Sequence, residues 1–271
     1  MNNLIKNPVL GAICGDMIGV PYEFLRRGVH IEKDFPLWSD DSHFSDDTAM
    51  TLAVAKWLLT EELEYLDSKD LVICMQEIGN KYPNVGYGGT FSQWLKQEDP
   101  QPYGSWGNGS AMRVSPVGCV SNSLNETLKI AEMSASVSHN HLEGIKGAKC
   151  IAEAIWYALR EEKLIISSAY NYDISRTPQE IRDSGYKFEV SCQKSVPEAI
   201  CCYAHSHSYE ETIRNAILLR GDTDTQACIA GSLAAAYFGI PRDIADEGLD
   251  RLPSTLLYIL ENFSEMYNLP L

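Results

Sequence analysis

At 271 residues the chain suits one large domain or two small ones, and 45% hydrophobic with 22% charged residues is ordinary for a globular protein. A formal net charge of −15 argues against a nucleic-acid or anionic-membrane surface, since both need a basic face. The eight cysteines are scattered with no C-x-x-C pair, no run approaches the roughly 20 apolar residues of a membrane span, and residues 1–6 lack a secretory core, so a cytoplasmic protein with reduced thiols is expected.

Residues 10–24 place Leu10, Ile13, Cys14, Met17 and Ile18 at helical spacing, with Gly11, Gly15 and Gly19 recurring on a neighbouring face. Glycine inside a helix costs about 0.5–1 kcal/mol relative to alanine, so three in register predict a second backbone packed very close. The segment carries Asp16 and leads through Pro21 to Glu23, which alone reads as a solvated loop residue. Residues 26–44 read as loop. Residues 48–60, apolar nearly all round, predict a buried helix, and 70–82 predict another, capped by Ser68 or Asp70. A glycine-rich turn at 86–90 precedes a short helix carrying Phe91, Trp94 and Leu95.

Gly104, Gly107 and Gly109 then fall within six residues, leaving the backbone free to turn several N–H groups to one side, as phosphate-binding nests do. Alone, this stretch reads as a surface loop; Trp106 inside it favours a ligand-facing platform. Residues 123–136 and 143–159 predict helices, with His139-Asn140-His141 reading as a polar turn between them. Residues 160–196 are tyrosine-rich and partly irregular, with a short helix near 178–182. Further helices are expected at 197–205, 209–219, 226–238, 241–252 and 253–267. No segment reads as a strand and no repeat is present, so the expectation is all-α, with about ten or more helices.

Two acidic stretches carry the chemistry. Ser45-Asp46-Asp47-Thr48 opens the first buried helix, and Gly221-Asp222-Thr223-Asp224-Thr225 runs into residues 226–240, which hold no charge at all. An ionised carboxylate at the edge of a core costs several kcal/mol unless it is compensated. Either stretch alone reads as a helix N-cap, where Asp, Ser and Thr are favoured. Both, however, double the carboxylate that one cap needs, which suggests a single shared acidic pocket. Oxygen donors of this kind suit Mg²⁺ or Mn²⁺ rather than zinc. Four converging carboxylates cannot all stay ionised without a cation, and two divalent ions about 3.5–4 Å apart would resolve that.

These stretches, taken with residues 11–16, residues 107–113 and Ser138-His139-Asn140-His141, occur in an order that resembles the ADP-ribosylglycohydrolases. The resemblance implies one orthogonal helix bundle over residues 1–271, a binuclear Mg²⁺ or Mn²⁺ centre, and hydrolysis of the bond joining ADP-ribose to an acceptor. By the same resemblance Ser45, Asp46 and Asp47 would hold one metal and Asp222, Asp224 and Thr225 the other. Glu23 would approach from a flexible loop, and Asp46, Asp47 or Glu23 would handle the proton. Ser105, Trp106, Gly107, Asn108 and Gly109 would wrap the pyrophosphate and distal ribose, with Trp106 packed on the ligand and His139 bonded near the phosphates. The family often has a glycine where this chain has Arg220. The implied partner is ADP-ribose or an ADP-ribosylated protein or small molecule, met by a monomer. A catalytically inactive ADP-ribose binder is a competing reading, disfavoured by the intact aspartates; a hydrolase of a small conjugate such as O-acyl-ADP-ribose shares every site residue.

Overall fold

The computed structural model describes residues 4–25 and 29–271. Its helices are α1 Pro8–Gly19, α2 Asp46–Trp57, α3 Ser68–Lys81, α4 Gly89–Trp94, α5 Gly109–Met112, α6 Val117–Val120 and α7 Leu124–Ser136. They continue with α8 Leu142–Ala158, α9 Pro178–Asp183, α10 Cys192–Ala204, α11 Tyr209–Leu219, α12 Thr223–Tyr237, α13 Arg242–Asp250 and α14 Ser254–Met266. Among the described residues the only β pairing is two isolated bridges, Ile5 with Ile240 and Gly107 with Ser191. The protein is an all-α helical bundle, as expected.

Helix α1 starts at Pro8 rather than at residue 10, because Asn7 caps it by accepting from the amides of Val9 and Leu10, each at 3.1 Å. All its residues are buried. The glycine stripe explains how: a Cβ added at Gly11 would lie 2.6 Å from the carbonyl oxygen of Gly231, at Gly15 2.1 Å from that of Ala227, and at Gly19 2.6 Å from that of Thr223. Helices α1 and α12 therefore touch backbone to backbone, and the contact ends where the acidic stretch of α12 begins.

Other boundaries move for local reasons. Asp67, not Ser68 or Asp70, caps α3, accepting from the amide of Lys69 at 2.9 Å. Helix α10 begins at Cys192 rather than Pro197, which sits inside it. Helix α6, four residues long, is too short for periodicity to announce. Residues 29–45 hold no helix or strand, in line with the loop expected at 26–44, whose residues 26–28 lie outside the described residues, as do Met1, Asn2 and Asn3. Between α8 and α10 there is only α9 and a 3-10 turn, Ser168–Tyr170, so this segment is as irregular as its composition suggested.

All eight cysteines are free thiols, seven buried and Cys119 half-buried. Among the described residues no helix is long and apolar enough to cross a membrane. Arg220, in the position where a glycine was expected, adopts φ 70° and ψ 178°, a region that side chains other than glycine rarely occupy.

Candidate metal centre and binding cleft

Asp16, to which no site role was assigned above, organises the centre. From inside α1 it reaches the start of α2 and accepts from the amides of Ser45 and Thr48, at 3.0 and 3.1 Å, and from the Ser45 hydroxyl at 2.6 Å. Its carboxylate thus satisfies amides that the first turn of α2 cannot satisfy itself. Asp47 is buried beside it. Its Oδ2 accepts from Thr225 Oγ1 on α12 at 3.1 Å, while its Oδ1 is buried with no partner in the protein. Asp222 accepts from Asn108 Nδ2 at 2.5 Å.

One carboxylate oxygen each from Asp16, Asp47 and Asp224 lie within 4.8 Å of one another, and so do those of Glu23, Asp222 and Asp224. Asp224 belongs to both groups. Asp46, expected as a ligand, belongs to neither; it lines the adjoining cleft, half-buried. The hydroxyls of Ser45 and Thr225 are engaged with these carboxylates. Among the described residues no lysine or arginine forms an ion pair with any of the six acids.

The electrostatic consequence is large. Burial, then repulsion from Asp222, raises Glu23 to about 7; burial and the Asp16 charge raise Asp46 to about 8; burial raises Asp222 to about 6. Asp47 and Asp224 are pushed well above the usual carboxylate range by burial first and by their acidic neighbours second, and burial raises Asp16 as well. Such a cluster must either bind protons or bind cations. Its donors are all hard oxygens, and the orphaned Asp47 Oδ1 points to a missing partner, so the residues fit divalent cations of the magnesium class.

Above the centre lies a cleft of about 980 Å³. Ser105, Gly107, Asn108, Gly109 and His139 line one side, and the glycine-rich turn at 86–90 lines another. Within that lining Asn108 donates from Nδ2 to Asp222 and to Ser195. Trp106 departs from its expected place: it is 53% exposed, packs edge-on against His141 at 5.6 Å, and is not part of the cleft lining. At the mouth Phe24, next to Glu23, stacks on Phe188 of the irregular segment with ring centres 6.1 Å apart.

Fold and site together define a class: all-α proteins that gather buried acids, none of them ion-paired with a basic side chain among the described residues, at the floor of a ligand-sized cleft. Residues 3–267 match the ADP-ribosylglycohydrolase family model, and the chain belongs to that family and is a glycohydrolase. It is 26% identical over 335 residues to the human protein named ADP-ribosylhydrolase ARH3, covering 94% of this chain and 88% of that one. It is 24% identical to "ADP-ribosylarginine hydrolase Tri1" of Pseudomonas putida, over 87% of this chain and 70% of that one. A solved structure titled "ADP-ribosylglycohydrolase-related protein complex" shares the fold with a TM-score of 0.72 at 22% identity, covering 96% of both chains.

Proposed function

We propose that the protein hydrolyses the glycosidic bond between ADP-ribose and an acceptor, with two divalent cations, Mg²⁺ or Mn²⁺, held by its buried acids. The observation that carries this reading is the pair of three-carboxylate groups sharing Asp224 on the cleft floor. One cation would be held by Asp16, Asp47 and Asp224, and the other by Glu23, Asp222 and Asp224. Bound there, such ions supply ribose-hydroxyl binding and activation of a water.

The chain's own residues divide the remaining work. Asp16 and Asp47 are fully buried and tied to hydroxyls or amides, which suits them to holding position. Asp46, partly exposed to the cleft and in neither carboxylate group, is the acid free for proton transfer to the leaving acceptor or from the attacking water. Phe24 and Phe188 stand at the mouth beside Glu23, stacked on one another.

The test is release of free ADP-ribose from arginine- and serine-ADP-ribosylated peptides, with added Mg²⁺ or Mn²⁺ and with chelator. Release should need the metal and be lost in Asp224→Ala and Asp46→Ala. Full activity in Asp224→Ala, or in excess chelator, would sink the proposal.

A further inference from the structure

Among the described residues the cleft has one fixed positive charge. Among the described residues Arg113, at the end of α5, is the only lysine or arginine that lines it. Its side chain is 1% exposed and, again among the described residues, forms no ion pair. A buried guanidinium without an acid is costly, and it is normally retained only where something compensates it. Its Nη2 donates to the Ser134 carbonyl at 2.8 Å and to Ser138 Oγ at 3.0 Å; its Nε is buried with no partner.

Ser138 Oγ also lies 2.8 Å from His139 Nδ1. Arginine can only donate, so the serine oxygen accepts from it and is left with its own proton to give. The one acceptor recorded for that proton is His139 Nδ1. Were the ring protonated on Nδ1 instead, two donors would meet at Ser138 Oγ and the hydroxyl proton would face nothing. The ring proton therefore sits on Nε2. That atom has no partner in the protein among the described residues, and it faces the glycine-rich loop: a Cβ on Gly109 would lie 3.0 Å from it, and one on Gly107 3.5 Å. Glycine at both positions lets the loop close onto the ring without blocking Nε2.

We propose that Arg113 and Ser138 are positioning residues that fix His139 as a neutral Nε2–H donor, with the buried Arg113 charge behind it, for the phosphate contact that the family resemblance gives this histidine. The inference rests on the ADP-ribose reading above for the identity of the anion. Charge supports it. A diphosphate entering a cleft lined by Glu23, Asp46, Asp47, Asp222 and Asp224 needs a local donor with positive potential at its back, and among the described residues no other residue of the lining carries a permanent cation. Burial and the Arg113 charge also hold His139 well below the usual histidine range, so the ring stays neutral and donates from one nitrogen only. Arg113 itself, lowered by burial to about 10, remains charged at neutral pH.

Two measurements test this. The first is long-range proton–nitrogen NMR on histidine-labelled protein at neutral pH with no ligand or metal, the His139 signal being identified through His139→Gln. Wild type should show the Nε2–H tautomer, Ser138→Ala should shift it toward a mixture, and Ser138→Thr should restore it. A wild-type Nδ1–H pattern, or an unchanged pattern in Ser138→Ala, overturns the relay. The second is calorimetric titration of ADP-ribose in saturating Mg²⁺, where Ser138→Ala should bind about tenfold more weakly, the scale of losing a well-oriented hydrogen bond to a charged group. Mg²⁺ affinity should not change, whereas general structural damage would lower both. Equal ADP-ribose affinity in wild type and Ser138→Ala overturns the relay alone. Wild-type protein that keeps the Nε2–H tautomer but binds no ADP-ribose overturns the functional reading, and the phosphate contact with it.

Discussion

Asn108 lines the cleft and holds one of its acids. Its amide donates to Asp222 at 2.5 Å and to Ser195 at 3.2 Å, fixing a carboxylate of the proposed cation site. Partners of this kind typically change metal affinity 10- to 100-fold when removed. Asn108→Ala is therefore expected to raise the Mn²⁺ dissociation constant by about tenfold while the protein stays folded, as read by calorimetry alongside a thermal melt; unchanged affinity would place Asp222 outside the metal centre. What was legible at this scale follows from chemistry that sequence can display. Doubled aspartates at 46–47 and 222–224 stand out because they open helices that are otherwise largely apolar. Asp16 does not stand out as a ligand, since its partners Ser45 and Thr48 lie 29 and 32 residues away and only folding joins them. A signal was nonetheless present: Asp16 is the single charge in a helix otherwise fit for complete burial.

At the scale of elements, the α1–α12 contact holds the two halves of the site together. Gly15 is where it is tightest, and an added Cβ would meet the Ala227 carbonyl, a backbone atom that cannot swing aside. Overpacking of this kind costs about 1–3 kcal/mol, often more when backbone must shift. Gly15→Ala should lower the melting temperature by several degrees and reduce metal affinity, because Asp16 and Asp224 would be driven apart. Gly89→Ala, with nothing within 4 Å of its added Cβ, is the control for a glycine replaced without crowding. A melting temperature for Gly15→Ala equal to that of the control would refute the close contact. This contact was readable in the sequence, because glycines four apart have few uses inside a buried helix. The start of α10 was not. Proline favours the first helical turn, which points to Pro197. Here the helix begins five residues earlier because the Cys192 amide is anchored on the Trp106 carbonyl at 2.9 Å, and the amides of Lys194 and Ser195 on that of Ser191. The anchoring loop is 86 positions away, beyond any local pattern.

For the whole molecule, the acid cluster makes stability depend on pH and metal together. In the metal-free protein Asp222, Glu23 and Asp46 hold protons up to about 6, 7 and 8, against ordinary carboxylate values near 4. Between about pH 4 and pH 8 the folded state therefore binds more protons than the unfolded state, and stability falls as pH rises through that window. Below it both states are protonated and the contribution is fully present. A divalent cation reverses the trend, since it binds only the ionised acids and displaces their protons. The expected outcome is a melting temperature that drops from pH 5 to pH 8 in chelator, with a rise on adding millimolar Mg²⁺ that is small at pH 5 and large at pH 8. General repulsion from a net charge of −15 also grows with pH, but salt screens it, whereas the buried acids are screened little. Repeating the melts at high salt separates the two. A chelated protein whose melting temperature is flat across this window at high salt, or a Mg²⁺ effect equal at both ends, would mean that the six acids are not the linked, cation-dependent unit that their geometry describes.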